Sequence, residues 1–192
     1  MTQTAPPAAL RHELKHEINA DDKVLREKLD GAPRREKFRI RFYGGDPSHL
    51  LLEKKSKIIT LCAKSSEELD PAVCRALLAG DFGALREGGP LCRELLYRMR
   101  TEQLRPRTVV DYDREAFVFP AGNARVTIDS DLRAGLTPKE FLSPALPRLS
   151  PGGAVLEVKY DAFLPDFVRD LVQLPGRRQS AFSKYAACRR FG

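Results

Sequence analysis

The sequence predicts an α+β fold with a mainly antiparallel sheet, and three observations lead there. Five short segments place charged residues on every second position: Arg11, Glu13, Lys15; Arg39, Arg41; Glu53, Lys55, Lys57; Arg125, Asp129; and Glu157, Lys159, Asp161. Such alternation is the mark of a β-strand, whose successive side chains point to opposite faces. Between Ser65 and Leu104 the apolar period changes to about 3.6 (Leu77, Leu78, Leu85, Leu91, Leu95, Leu96, Met99), which is helical. Finally, the strand segments lie at hairpin-like spacing with few crossover helices between them, which favours antiparallel pairing.

Taken in order, the first strand begins near Arg11. Gly31 and Pro33 mark a turn before a strand over Lys37 to Tyr43. Gly44, Gly45, Asp46 and Pro47 then form a turn leading into a strand over Leu50 to Ile59, so the two read as a hairpin. Ser66, with Glu67 and Glu68 behind it, suggests a helix start. Gly80, Gly83, Gly88, Gly89 and Pro90 divide the region that follows into two or three short helices. Strand character returns at Thr108 to Tyr112, near Ala116 to Phe119, and around Val126 and Val158. Phe163 to Leu174 reads as a helix opened by Pro165, and Ser183 to Cys188 as another, beyond the basic turn Gly176, Arg177, Arg178.

With 192 residues, 42% of them hydrophobic, the chain can bury one substantial core. We expect a single domain over residues 11–192, preceded by a disordered tail at 1–10 that holds Pro6 and Pro7. A net charge of +7 and a pI near 9.4 favour a polyanionic partner. No apolar run approaches the roughly 20 residues needed to cross a bilayer, and Met1 to Leu10 lacks the apolar centre of a signal peptide; the expected location is cytoplasmic. Cys62, Cys74, Cys92 and Cys188 form no C-x-x-C pair, so buried or semi-buried free thiols are expected.

The alternation leaves open which face looks inward. In an ordinary wet sheet the Val, Leu and Ile face packs and the charged face is solvated. In a closed barrel lined by charge, the apolar residues lie outside, under covering helices. Glu and Lys repeated within single strands suits a polar lumen, but periodicity does not choose between the two.

Seven stretches, in order, resemble the polyphosphate polymerase domain of the vacuolar transporter chaperone family, a branch of the triphosphate tunnel metalloenzymes. They are Arg11-His12-Glu13-Leu14-Lys15, Lys37-Phe38-Arg39-Ile40-Arg41-Phe42-Tyr43-Gly44, Leu52-Glu53-Lys54-Lys55-Ser56-Lys57, Asp111-Tyr112-Asp113-Arg114-Glu115-Ala116-Phe117, Ala124-Arg125-Val126-Thr127-Ile128-Asp129, Val155-Leu156-Glu157-Val158-Lys159-Tyr160 and Phe182-Ser183-Lys184-Tyr185. The resemblance implies an antiparallel β-barrel, or tunnel, with a polar cationic lumen that binds a phosphate chain. It also implies transfer of the γ-phosphoryl group of ATP to a growing polyphosphate, with Mn2+ or Mg2+ as cofactor. Carried over residue by residue, Arg39, Arg41, Lys55, Arg114 and Arg125 are the catalytic cations; Lys15, Tyr112, Lys159, Ser183 and Lys184 bind phosphate; and Glu157 is the metal carboxylate, which Glu53 and Asp129 could join. Relative to the family pattern the chain is shortened near residues 19–24, where Ile18-Asn19-Ala20 passes directly to Asp21-Asp22-Lys23. The tunnel is therefore expected to be one strand short. A catalytically impaired binder of polyphosphate or triphosphate, and a tripolyphosphatase of the same fold, are the alternatives.

These residue types suit that chemistry. Phosphoryl transfer needs donor and acceptor held in line and the charge on non-bridging oxygens neutralised. Guanidinium groups two residues apart on one strand, as at Arg39 and Arg41, can grip neighbouring phosphates through paired hydrogen bonds. A hard divalent cation can be held by one or two carboxylates plus phosphate oxygens, which suits Glu157.

Other readings carry less. His12-Glu13-Leu14-Lys15-His16 matches the zinc-protease pattern H-E-x-x-H, but that motif works only on a helix and the period here is two. Phe38, Phe42 and Tyr43 beside basic residues suggest base stacking, yet Phe38 and Phe42 fall on the face opposite Arg39 and Arg41, so no nucleic acid partner is expected. Ser183 also reads as a helix N-cap, and Glu157 with Lys159 as an ordinary ion pair.

Overall fold

A computed structural model of the chain describes residues 11–12, 14–19, 34–59, 61–143, 145–149, 153–176 and 182–189, with side chains from residue 36 onward. The expected tail at 1–10, most of the shortened joint at 19–24, and Arg177 and Arg178 lie outside the described residues.

The architecture is α+β. Among the described residues eight strands pair antiparallel: β1 (Arg11–His12), β2 (Leu14–Asn19), β3 (Arg34–Tyr43), β4 (Asp46–Ile58), β5 (Leu61–Leu69), β6 (Arg105–Phe119), β7 (Ala124–Gly135) and β8 (Ala154–Lys159). The order across the sheet is β5-β4-β3-β2-β6-β7-β8, with β1 also on β6. Among the described residues, β5 and β8 stand at the two ends of this order. The strands lie in the order of a meander except where β2 joins β3 to β6, which brings the two halves of the chain into one sheet.

The β3–β4 hairpin closes through Gly44 and Gly45, at φ +65° and +72°. A two-residue hairpin loop with both central residues at positive φ is what the right-handed twist of paired strands prefers, and glycine reaches it without strain. The larger differences from the sequence reading lie in β5 and β6, while β3 and β4 each begin a few residues earlier than expected. The stretch at Ser66 is strand, because β5 pairs with β4 along its whole length, from Leu50↔Leu69 to Ile58↔Leu61. The helix begins later, at α1 (Pro71–Leu78), where Asp70 caps the first turn by accepting from the Ala72 amide at 2.6 Å and Pro71 occupies the first helical position. The two strand runs expected at 108–112 and 116–119 are one 15-residue strand, β6, because β1 and β7 supply partners through the charged stretch between them.

A 3-10 turn at Phe82–Glu87 and the helix α2 (Pro90–Thr101) follow α1, as the glycine spacing suggests. The N-cap of α2 is Gly89, which has no side chain to offer, and Glu67 of β5 supplies the acceptor instead. Its carboxylate takes the amides of Leu91 at 2.8 Å and Cys92 at 3.4 Å. Two short helices end the described chain: α3 (Asp166–Val172), opened by Pro165, and α4 (Lys184–Arg189).

The two faces of the sheet are unlike. Phe38, Ile40, Phe42, Leu50 and Leu52 pack under Leu77, Leu85, Leu95 and Met99 of the helical segment to form the main core. Phe38 and Phe42 are therefore buried packing residues, not a platform for bases. Lys54 reaches Glu94 at 2.5 Å and Glu36 at 3.0 Å, and Arg98 reaches Glu36 at 2.7 Å, so α2 is also tied to β3 and β4 by ion pairs. On the opposite face a smaller apolar group, Val110, Tyr112, Ala134 and Cys188, seats α4 against β6 and β7. His12 lies in β1 and His16 in β2, so the H-E-x-x-H pattern has no helix to act from. All four cysteines are free; Cys74, Cys92 and Cys188 are buried as expected, but Cys62 is exposed on β5.

Candidate functional site: a carboxylate-clamped cationic face

Register places the odd-numbered residues of β3 and β4 on the face away from the main core. Arg39 stands opposite Glu53, and Lys37 opposite Lys55. Glu53 is only 2% exposed although it lies on the charged face. Its carboxylate accepts from Arg39 Nε at 2.5 Å, and its oxygens lie 2.7 Å from Arg41 Nη2 and 2.7 Å from Lys64 Nζ. Burial alone would raise the Glu53 pKa; the hydrogen bond from Lys64 and the charges of Arg39 and Arg41 outweigh it and hold the carboxyl below its ordinary value. Spacing does not single out Lys64, because the polar stretch around Ser65 and Ser66 reads as the approach to a helix. The signal was there: Asp70-Pro71 is a better helix start than Ser66.

A second cluster sits on β6, β7 and α4. Arg114 opposes Asp129 and forks onto it, Nε to Oδ1 at 2.5 Å and Nη2 to Oδ2 at 2.7 Å. Lys184 of α4 pairs with the same carboxylate. Burial again pushes the Asp129 pKa upward, and the hydrogen bonds and charges of Arg114 and Lys184 bring it below its ordinary value. The buried ring of Tyr112 lies beneath both cations, 5.2 Å from the Arg114 guanidinium carbon and 4.9 Å from Lys184 Nζ. Ser183 serves as the N-cap of α4, its hydroxyl accepting from the Ala186 amide at 3.2 Å.

Between the two clusters runs β2. Lys15 stands opposite Arg41 on one side and Val110 on the other, so its backbone position is on the charged face. β3 and β6 flank β2, which separates their backbones by two strand spacings, about 10 Å. The remaining expected site residues lie farther out. Lys55 is exposed beyond Glu53, opposite Lys64. Arg125 is exposed opposite Lys159, and both line a cavity of about 560 Å3 with Asn123, Val158, Tyr160 and Asp161. The structure thus gathers Arg39 with Arg41, Arg114 with Lys184, and Arg125 with Lys159, as three groups along one face. Arg133 turns to the other face, where it binds Asp111 at 2.5 Å and Asp113 at 2.9 Å. Neither partnership could be read from spacing, because β6 and β7 slip register between Asp111 and Asp113.

Of the three carboxylates named for a divalent cation, Glu53 and Asp129 already hold several cations each. Glu157 faces one, Lys159 Nζ at 3.2 Å, and its side chain is 41% exposed. Among the described residues, no three His, Cys, Asp or Glu side chains gather as a cage. A single accessible carboxylate fits a hard cation that takes its other oxygens from water and phosphate, as Mg2+ commonly does. It does not suit a structural zinc site, which needs about four protein ligands.

Fold and site define an α+β protein whose antiparallel sheet presents one helix-covered apolar face and one face of arginines and lysines ordered around buried carboxylates. The chain belongs to the VTC domain family, which matches residues 19–191. That membership points to a polyphosphate-related function. No curated protein matches the chain. Among solved structures it is similar to the PH1819 protein from Pyrococcus horikoshii OT3, at 13% sequence identity, with 86% of this chain and 73% of that one covered and a TM-score of 0.38. No helix among the described residues is long and apolar enough to cross a membrane.

Proposed function

We propose that the charged face binds a linear phosphate chain and that the protein is a polyphosphate polymerase-like domain using ATP and a divalent metal. The observation that supports this best is the pair of buried carboxylates, Glu53 and Asp129, each holding two or three cations in fixed positions on one face. A salt-bridged cation costs little to redirect toward an arriving anion when its own carboxylate keeps it in place, so the face is preorganised for phosphate. In this reading the sheet curves around the chain as a tunnel one strand short.

The reaction forms a bond from a terminal oxygen of the polyphosphate to the γ-phosphorus of ATP while the bond to the β-phosphate oxygen breaks, releasing ADP. Arg39, Arg41 and Arg114 neutralise non-bridging oxygens, while Lys15, Lys55, Arg125, Lys159 and Lys184 extend the path. Tyr112 supports Arg114 and Lys184 from below, and Ser183 fixes the helix that carries Lys184. Mn2+ or Mg2+, held through Glu157, would supply further neutralisation of the γ-phosphoryl oxygens.

Binding without turnover is a second reading, favoured by β5 and β8 standing at the ends of the sheet among the described residues and by the shortened joint near 19–24. A positioning error of about 1 Å can cost on the order of 100-fold in rate while leaving charge-driven binding intact. The test begins with calorimetric titration by tripolyphosphate at about 0.15 M salt, where the Debye length is about 8 Å and loose surface charge contributes little. Saturable binding strengthened by Mn2+ is expected, followed by ADP release from ATP with chain growth. Saturable binding without ADP release selects the binder, phosphate release from tripolyphosphate selects the hydrolase, and non-saturating heat refutes all three.

A further inference from the structure

The Glu157 subsite contains a group that the proposed reaction leaves unused. Thr127 lies on the charged face of β7, between Arg125 and Asp129, and its register partner on β8 is Glu157. It is 4% exposed, and its hydroxyl is buried without a hydrogen-bond partner among the described residues. A buried hydroxyl left unpaired is unfavourable, and valine would fill nearly the same shape without that cost, so the Thr127 hydroxyl calls for a partner that the unliganded site does not supply. Side chains directly opposite on antiparallel strands have Cβ atoms roughly 5 Å apart, which brings the Thr127 hydroxyl within one side-chain rotation of the Glu157 carboxylate. At present that carboxylate is held by Lys159 at 3.2 Å, and Lys159 is itself one of the cations proposed to bind phosphate.

We infer that Thr127 is a positioning residue for the metal carboxylate. When a phosphate chain draws Lys159 away, the Thr127 hydroxyl donates to Glu157 in its place and fixes the carboxylate for a divalent cation. Thr127 and Lys159 are thus alternative partners of one carboxylate, and the exchange couples phosphate binding to metal binding. The inference rests on the proposed phosphate-binding function and refines its metal subsite. Groups that orient a metal-binding side chain typically change metal affinity by about 10–100-fold when removed.

The experiment compares the full chain with Thr127→Val, Thr127→Ala and Thr127→Ser, each titrated with tripolyphosphate across a Mn2+ series, alongside thermal unfolding of the unliganded protein. Thr127→Val should unfold at or above the parental temperature and bind tripolyphosphate without metal a few-fold more weakly, because the hydroxyl that replaces Lys159 on Glu157 is then absent. The Mn2+ concentration for half-maximal enhancement should rise about tenfold or more. Thr127→Ala should follow Val in its Mn2+ dependence, and Thr127→Ser should retain the parental dependence. Parental Mn2+ dependence in both Val and Ala would overturn the role of Thr127 while leaving the phosphate reading intact, and so would loss of it in Ser. A parent protein that shows no Mn2+ enhancement would overturn the metal subsite on which the inference stands, and one that shows no saturable tripolyphosphate binding would overturn the phosphate reading itself.

Discussion

Replacing Glu53 by Gln tests whether the buried carboxylates organise the cationic face. Glu53 has Arg39 at 2.5 Å, Arg41 at 2.7 Å and Lys64 at 2.7 Å, with those three side chains 25%, 16% and 53% exposed. Glu53→Gln keeps one acceptor oxygen but removes the negative charge, leaving three cations against one another. Breaking a buried ion pair from one side costs about 3–5 kcal/mol. Lys64 is more than half exposed, so its share is screened, and the lower end, about 3 kcal/mol, is the reasonable figure. For a domain of this size that is a fall in Tm of roughly 6–12 °C. Tripolyphosphate can supply the missing charge but no longer meets cations held in place, so its stabilising shift, about 2.7 kcal/mol at 100 times Kd for an ordinary ligand, should be no larger in the variant than in the parent. Differential scanning fluorimetry with and without tripolyphosphate measures both quantities. A fall of less than about 2 °C, or a ligand shift larger than the parent's, would refute the clamp.

Arg41→Ala should weaken tripolyphosphate binding by about tenfold, the loss of one charge-assisted contact, and Glu157→Ala should abolish the Mn2+ enhancement while leaving metal-free binding in place; calorimetry on each decides. The Glu53 and Asp129 carboxyls are held below their ordinary values of 4.5 and 3.8, so the stability they add is present above those values and is lost as pH falls through the folded-state pKa. Thermal melts should therefore be insensitive to these groups above about pH 5 and fall below it, with a shallower acid limb in Asp129→Asn. Cys62 is exposed, whereas Cys74 and Cys92 are buried with thiol pKa values pushed up to about 12 and Cys188 is buried. A thiol-reactive chromophore should label one cysteine of the native protein and all four after denaturation; fast labelling of a second native thiol would contradict the packing.

How much of this was legible in the sequence depended on which physical signal each residue carried. Alternation placed Arg39, Arg41 and Glu53 on one face because β3 and β4 pair in register through that stretch, and Phe38 and Phe42 on the other. The helix boundaries at Pro165 and through the glycine series were also readable, since they are local chemistry. Lys64 was lost because a polar strand end and a helix approach look alike until the partner strand is known. Arg133 was lost to the slip beside Asp131, whose φ of +49° has no counterpart in sequence pattern. Thr127 stood in plain view, but a hydroxyl without a partner is visible only once its surroundings are folded.

The reach of Glu67 from β5 to the start of α2 has a consequence for how the protein comes apart. β5 ends the pairing order among the described residues, and such a strand is ordinarily the first to fray or to recruit a neighbouring molecule. Here it cannot peel from β4 without withdrawing the acceptor from the Leu91 and Cys92 amides. The margin of the sheet and the first turn of the helix therefore open as one cooperative unit. Amide exchange at Leu91 and at the β4-facing amides of β5 should follow a single opening free energy, and Glu67→Ala should split it into two.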